Sequence, residues 1–224
     1  MINQSLNLND ILVWDIETIP NQSYMTPLLQ KKLESKAEKL VESRNYDKEE
    51  AINLIASTNP FFGQVIVIGI YELSNRFPKG YSTVIKSSDE YVLLNSWWNL
   101  IKEFNGTFVG FNSLNFDAYF IHVRSMYHNI TPTNKNFLNL RKFSSWPHYD
   151  IMQHLGNWGF ENRPSLEQAT EFFGIKSPKD GSVKASEVYK AYKGGRLDEI
   201  ADYCKRDVLA TYELFKRTSL YLPS

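Results

Sequence analysis

Gln64–Tyr71, with the sequence QVIVIGIY, is a nearly continuous β-branched and apolar run. A strand with one wet face alternates polar and apolar side chains. A run without that alternation is expected to be covered on both faces, and covering both faces of a sheet takes helices. The rest of the chain supplies them. Ile11–Ile16 reads as a strand stopped by Pro20, and Tyr81–Lys86 and Thr107–Phe111 as two more. Ser87-x-x-Glu90 is expected to form a capping box that opens a helix running through Phe104. Phe116–His128 reads as a helix and Asn134–Pro147 as an irregular segment. Shorter helices are expected at Ile151–Asn157, Ser165–Phe173 and Lys184–Lys193, and Gly194-Gly195 precedes a final helix, Leu197–Lys216. Leu28–Ala56 is rich in Lys and Glu and has neither Gly nor Pro. Its apolar residues Leu29, Leu33, Leu40 and Val41, then Ile52, Leu54 and Ile55, recur at helical spacing. It is expected to be a helical insertion after the first strand, with a solvated charged face. The expected fold is α/β, a mixed central β-sheet flanked by helices.

Composition narrows the class. Hydrophobic residues make up 42% and charged residues 22% of 224 residues, a globular composition with enough length for a sizeable core. No apolar stretch is long enough to span a bilayer. The start, MINQSLNLND, has neither the positive charge nor the apolar run of a secretory signal. The single cysteine, Cys204, excludes an internal disulfide and a cysteine-rich zinc site, and it reads as a small buried hydrophobe. The expectation is a cytoplasmic single domain over residues 1–224, with no membrane partner.

Three acidic patterns stand out. In Val13-Trp14-Asp15-Ile16-Glu17-Thr18, residues two apart on a strand share a face, so Asp15 and Glu17 point the same way. Two carboxylates that close need a cation or a proton between them, and a hard divalent cation suits oxygen ligands. In Gly110-Phe111-Asn112-Ser113-Leu114-Asn115-Phe116-Asp117 a strand ends, two Asn residues offer turn chemistry, and Asp117 falls in the first helical turn. An acid there also serves an ordinary purpose, favouring the helix dipole. In Tyr203-Cys204-Lys205-Arg206-Asp207, positions i and i+4 put a phenol and a carboxylate on one helix face, at the border of the stripe Ile200, Cys204, Val208, Thr211 and Phe215. Each pattern alone occurs by chance.

Their order is more specific than any one of them. A strand-borne Asp-x-Glu, a strand-to-helix Asn-x-x-x-Phe-Asp and a late helical Tyr-x-x-x-Asp resemble the three motifs of the DEDD superfamily of 3′–5′ exonucleases. Tyr203 makes the chain similar to the DEDDy branch; the DEDDh branch has His where Asp202 stands. Asp-Ile-Glu-Thr, Gly-Phe-Asn and Tyr-Cys-x-x-Asp-Val resemble the proofreading exonuclease domain of family B DNA polymerases, and the chain is similar to stand-alone exonucleases related to it. His148-Tyr149-Asp150-Ile151, Ser165-Leu166-Glu167, Gly174-Ile175-Lys176 and Asp180-Gly181-Ser182-Val183 fit as well. The resemblance runs from Ile11 to about Phe215 and implies a ribonuclease H-like fold and two Mg²⁺ or Mn²⁺ ions. It implies that Asp15 bridges both ions, that Glu17 and Asp207 complete the site of the ion that activates water, and that Asp117 holds the second. Tyr203 would orient the water, and Thr18 and Asn112 would hold the terminal nucleotide. The implied partner is the 3′ end of a single-stranded nucleic acid, with DNA favoured. Two alternatives stay open here: an RNA-trimming exonuclease similar to ribonuclease D, and a non-catalytic nucleic-acid-binding module on the same fold. All four acids and Tyr203 are intact, which speaks against the second.

Other residues admit plainer readings. Phe111, Phe116, Tyr119 and Trp146 could be stacking platforms but fit a core as well. Lys176, Lys179, Lys205 and Arg206 could line an approach to the site but fit a solvated surface. His148, His154, Trp97 and Trp98 read as structural, and Asp150 as a helix cap or a fifth acid near the site. Net charge belongs with the site. The chain has 25 acids and 25 bases, which at first speaks against a nucleic-acid partner. Setting aside Asp15, Glu17, Asp117 and Asp207 leaves 21 acids against those 25 bases. Part of the acidity belongs to the cluster itself, and the balance is compatible with a small end-binding site.

Overall fold

The computed structural model describes residues 10–221 except 22, 24, 45 and 177–183. Most of the N-terminal stretch, Lys179 and Asp180–Val183 therefore lie outside the described residues. A five-stranded sheet forms the centre, in the order β3-β2-β1-β4-β5. Its strands are β1 (Ile11–Pro20), β2 (Gly63–Leu73), β3 (Tyr81–Lys86), β4 (Thr107–Gly110) and β5 (His148–Asp150). The β1–β2 and β2–β3 pairs are antiparallel, β1–β4 and β4–β5 parallel. The eight helices described are α1 (Pro27–Arg44), α2 (Lys48–Ser57), α3 (Glu90–Leu100), α4 (Asp117–Tyr127), α5 (Ile151–Leu155), α6 (Leu166–Phe172), α7 (Val188–Lys193) and α8 (Leu197–Thr218).

The central strands read as they do because they are sandwiched. On β1, Leu12, Trp14 and Ile16 join the cluster built on α3 and α4, whereas Ile11 and Val13 pack with Val208, Leu214 and Phe215 of α8. Asp15 and Glu17 continue this second row. Strand alternation thus aims both carboxylates at α8. Trp14 stacks on Trp97 with ring centroids 5.1 Å apart. Phe137, from the irregular segment, takes edge contacts from Trp14, Trp97, Trp98 and Phe108 at 5.0–5.4 Å. His148 is buried, donates to the Phe137 carbonyl at 2.9 Å and stacks on Phe108.

Three features depart from the expectations. The Ser87–Glu90 capping box does not form. Asp89 caps α3 by accepting from Val92 N, and α3 ends at Leu100. Glu90 turns inward, because a tertiary ion pair outweighs the local cap. Its carboxylate accepts from Val65 N at 2.7 Å, from Arg124 Nη2 at 2.6 Å and Nε at 2.9 Å, and lies 2.8 Å from His128 Nε2. The insertion is helical, as expected, and consists of two helices, α1 and α2. Asp47 caps the second by accepting from Glu49 N and Glu50 N, and Leu33, Ala56 and Phe62 make a small core beneath the pair. β5, with three residues, was not foreseen. Lys184–Lys193 begins as a 3-10 turn, Ala185–Glu187, before α7. Among the described residues, no helix is long and apolar enough to cross a membrane.

Glu90 and Arg124 are both almost wholly buried and clamp α3 and α4 onto β2. Breaking a buried pair strands the surviving charge. Arg124→Met is expected to cost about 3–5 kcal/mol in urea unfolding, and adding Glu90→Gln should recover part of it. A loss under about 1 kcal/mol would show that the pair is solvated.

Candidate active site

The site forms where β1 outruns its parallel neighbour. The β1–β4 ladder pairs Ile11–Val13 with Thr107–Val109. Beyond it, Asp117 at the start of α4 comes up to the strand, and its Oδ1 accepts from Ile16 N at 3.1 Å. A buried carboxylate takes the place of a neighbouring strand and satisfies a backbone donor.

The turn that delivers Asp117 is tightly specified. A Cβ at Gly110 would lie 2.4 Å from Ser113 Cβ, so the strand must end in glycine. Asn112 follows with φ +64°, a left-handed conformation that asparagine tolerates better than most residues. The fully buried Asp150 braces the turn. Its Oδ1 accepts from Asn112 N at 2.9 Å and from Gln153 N at 3.2 Å, and its Oδ2 accepts from Leu114 N at 3.0 Å. Asp150 therefore caps α5, as expected, and also fixes the loop leading to Asp117. No sequence pattern indicated that second role.

α8 supplies the other side. Register places Gly69 of β2 opposite Asp15. A Cβ on Gly69 would meet Cys204 Sγ at 2.8 Å and Val208 Cγ2 at 2.9 Å. The missing side chain lets α8 lie close to the sheet. Cys204 Sγ then sits 3.5 Å from both the backbone carbonyl and the Oδ2 of Asp15. Cys204 is buried, as expected of a small hydrophobe, but its S–H also donates to Asp15. Burial and the surrounding acids push the thiol up, so it keeps its proton in the metal-free protein. Beside Cys204 on α8, the Tyr203 phenol is hydrogen-bonded to the Asp207 carboxylate one turn on, and both side chains are almost buried.

Four carboxylates thus share one poorly hydrated space. Burial pushes Asp15 well above the ordinary carboxylate range, and repulsion from Asp117, Glu17 and Asp207 adds to it. Glu17 is raised by burial, then by Asp207 and Asp117. Asp117 is pushed up to about 7 by burial, against the lowering pull of the Ile16 N–H. Burial, Asp207, Glu17 and Asp15 raise the Tyr203 phenol far above its usual value, so it keeps its proton and donates a hydrogen bond rather than acting as a base near neutral pH. Ligand atoms of Asp15, Glu17 and Cys204 all lie within 4.8 Å of one another. With the thiol protonated, the useful donors are carboxylate oxygens, and a hard divalent cation fits such a set while relieving its repulsion.

The two residues expected to hold substrate lie close by. Thr18 follows Glu17 across a shift in strand register, and its hydroxyl donates to the Ser57 carbonyl at 2.6 Å, tying the end of α2 to β1. Asn112 is half-buried, and its Oδ1 accepts from Asn115 Nδ2 at 3.2 Å. Phe111, Phe116 and Trp146 are half-buried, the first two packed against core clusters, while Tyr119 is exposed.

Residues 61–222 match the family described as "Predicted 3'-5' exonuclease related to the exonuclease domain of PolB". The chain belongs to that family. The matched stretch of this PolB-exonuclease-like protein holds Asp117, Asp150, Tyr203 and Asp207, and the fold adds Asp15 and Glu17 from the strand ahead of it. Uncharacterized protein MJ0365 of Methanocaldococcus jannaschii is 28% identical over 167 residues, covering 70% of this chain and 87% of that protein. Among solved structures, the family B DNA polymerase of the hyperthermophilic archaeon Pyrobaculum calidifontis aligns with 94% of this chain at a TM-score of 0.60 and 15% identity. The chain spans 24% of that polymerase's length. This likeness and the mixed five-stranded sheet with flanking helices give the PolB-like domain a ribonuclease H-like fold. A structure titled ExoI/SSB-Ct complex aligns with 95% of this chain and 43% of its own, at a TM-score of 0.44 and 13% identity.

Cation binding should be visible as stability. Mg²⁺ at about 100 times its Kd is expected to raise the thermal midpoint of metal-free protein by on the order of 5–10 °C. Asp15→Asn should raise the metal-free midpoint, by relieving repulsion, and remove most of the Mg²⁺ shift. A variant that keeps the full shift would place the ion elsewhere.

Proposed function

We propose that this protein is a metal-dependent 3′–5′ exonuclease acting on single-stranded nucleic acid, DNA in preference to RNA. The observation that carries the reading is the convergence of Asp15, Glu17, Asp117 and Asp207, with the Tyr203 phenol bonded to Asp207. It occurs in a family described as exonuclease-like. The relation of that family to a DNA polymerase domain supports DNA as substrate.

The four carboxylates would hold two Mg²⁺ or Mn²⁺ ions. When bound, such ions lower the pKa of an attacking water and stabilise both the phosphate and the leaving oxygen. The chain's own residues then have separable tasks. Asp15 and Glu17, on one face of β1, give a rigid pair of acceptors. Asp207 is steadied by the Tyr203 phenol, which keeps its proton and holds the attacking water by hydrogen bonding rather than deprotonating it. Asp117 is pinned by Ile16 N, which fixes its carboxylate beside the strand. Asp150 keeps the turn beneath it in place. Thr18 and Asn112 flank the acids, where a terminal sugar and base would lie. The water oxygen joins phosphorus, the P–O3′ bond breaks, and a nucleoside 5′-monophosphate leaves a strand with a new 3′-hydroxyl.

With Mg²⁺ or Mn²⁺, a 5′-labelled single DNA strand is expected to shorten stepwise from its 3′ end. Asp207→Ala should slow this by at least about 10³-fold, the loss of several kcal/mol of transition-state stabilisation. Wild-type protein that binds DNA and RNA but cuts neither would overturn the enzyme reading. RNA trimmed faster than DNA would overturn the substrate preference.

A further inference from the structure

The two-helix insertion does more than cap the end of β1. It forms one wall of an open cleft of about 490 Å³ whose other wall is α7. Thr18, the residue after Glu17, lies in its lining, so the cleft opens beside the end of β1 that carries Asp15 and Glu17. The walls differ in charge and polarity. Lys190 and Lys193 stand on the α7 side, and Lys193 Nζ lies 4.9 Å over the Tyr189 ring. The insertion side carries Glu49 and Glu50, with partly exposed Tyr46 and Leu54.

We propose that this cleft seats the last nucleotides of a single-stranded 3′ end, with phosphates along α7 and bases against Tyr46 and Leu54. The inference rests on the exonuclease reading for what lies beyond Thr18, but its own content is a binding site and a polarity. Two lysines on one wall neutralise a backbone that Glu49 and Glu50 repel from the other. The same repulsion turns the neutral bases toward the insertion, where an aromatic and an aliphatic face are available for stacking and packing. A cleft of this volume admits a ligand of nucleotide size, and bases can lie against Tyr46 and Leu54 only when they are unpaired. The insertion thus favours unpaired ends, a selectivity that the carboxylates alone would not impose.

Binding separates this claim from the chemistry. An oligodeoxynucleotide of about 12 residues, labelled at its 5′ end, is titrated in EDTA and followed by fluorescence anisotropy. Wild type should bind the single strand at least about tenfold more tightly than a blunt duplex of the same sequence. Lys190→Glu/Lys193→Glu should weaken single-strand binding by about tenfold and reduce the slope of log K against log salt by about 1.4, the share of two phosphate contacts. Tyr46→Ala should weaken it by about fivefold or more with the slope unchanged. Lys102→Glu/Lys135→Glu, at the opposite end of the sheet, should leave the slope and the affinity near wild type. Wild-type binding that ignores strandedness, or cleft variants that match wild type, would overturn the proposal whether or not the protein cuts. The expected binding pattern without any cleavage under Mg²⁺ would uphold the cleft and remove the exonuclease reading.

Discussion

Four carboxylates with little access to water are the constraint around which this fold is organised. Asp15 and Glu17 lie on the sheet, Asp117 at a helix start and Asp207 on the long C-terminal helix, and burial and mutual repulsion raise the first three well above the ordinary carboxylate range. Such a cluster costs stability unless a cation compensates it. A chain that spent acids this way only to strengthen its core would have done better with apolar residues. The cost makes sense at a site that binds ions, which is what the proposed exonuclease function would use.

Much of the remaining structure keeps the four acids in place. Ile16 N and Asp150 set the position of Asp117. Gly69 lets α8 approach, so that Cys204 reaches Asp15 and Tyr203 and Asp207 face the strand. The Glu90–Arg124 pair and the rings around Phe137 hold α3, α4 and the irregular segment against the opposite face of the sheet. Stability is concentrated on the side away from the chemistry, and the polar tension sits at the end of β1.

The sequence showed the parts of this that are local. Strand alternation put Asp15 and Glu17 on one face, helical spacing paired Tyr203 with Asp207, and the unbroken apolar run of β2 demanded a sheet covered on both sides. The order of the motifs then pointed to the family. What was missed depends on distant partners. Ser87-x-x-Glu90 has the spacing of a capping box, but Arg124 and Val65, both far along the chain, claim the Glu90 carboxylate. Asp150 looks like any helix cap, and its bonds to Asn112 and Leu114 span 38 and 36 residues. β5 is too short to show a period. Cys204 has the character of a buried hydrophobe, and only the approach of α8 over Gly69 turns its S–H toward Asp15. The overall charge balance misled at first, because the acids that neutralise the chain are partly those of the site.

If these carboxylates form one divalent-ion centre, the ions it holds can be counted. Mn²⁺ titrated into metal-free protein and followed by electron paramagnetic resonance is expected to load two ions per chain, spin-coupled through a shared ligand, with the coupling lost in Asp15→Asn. Uncoupled, loosely held Mn²⁺ that is indifferent to Asp15 would contradict the account.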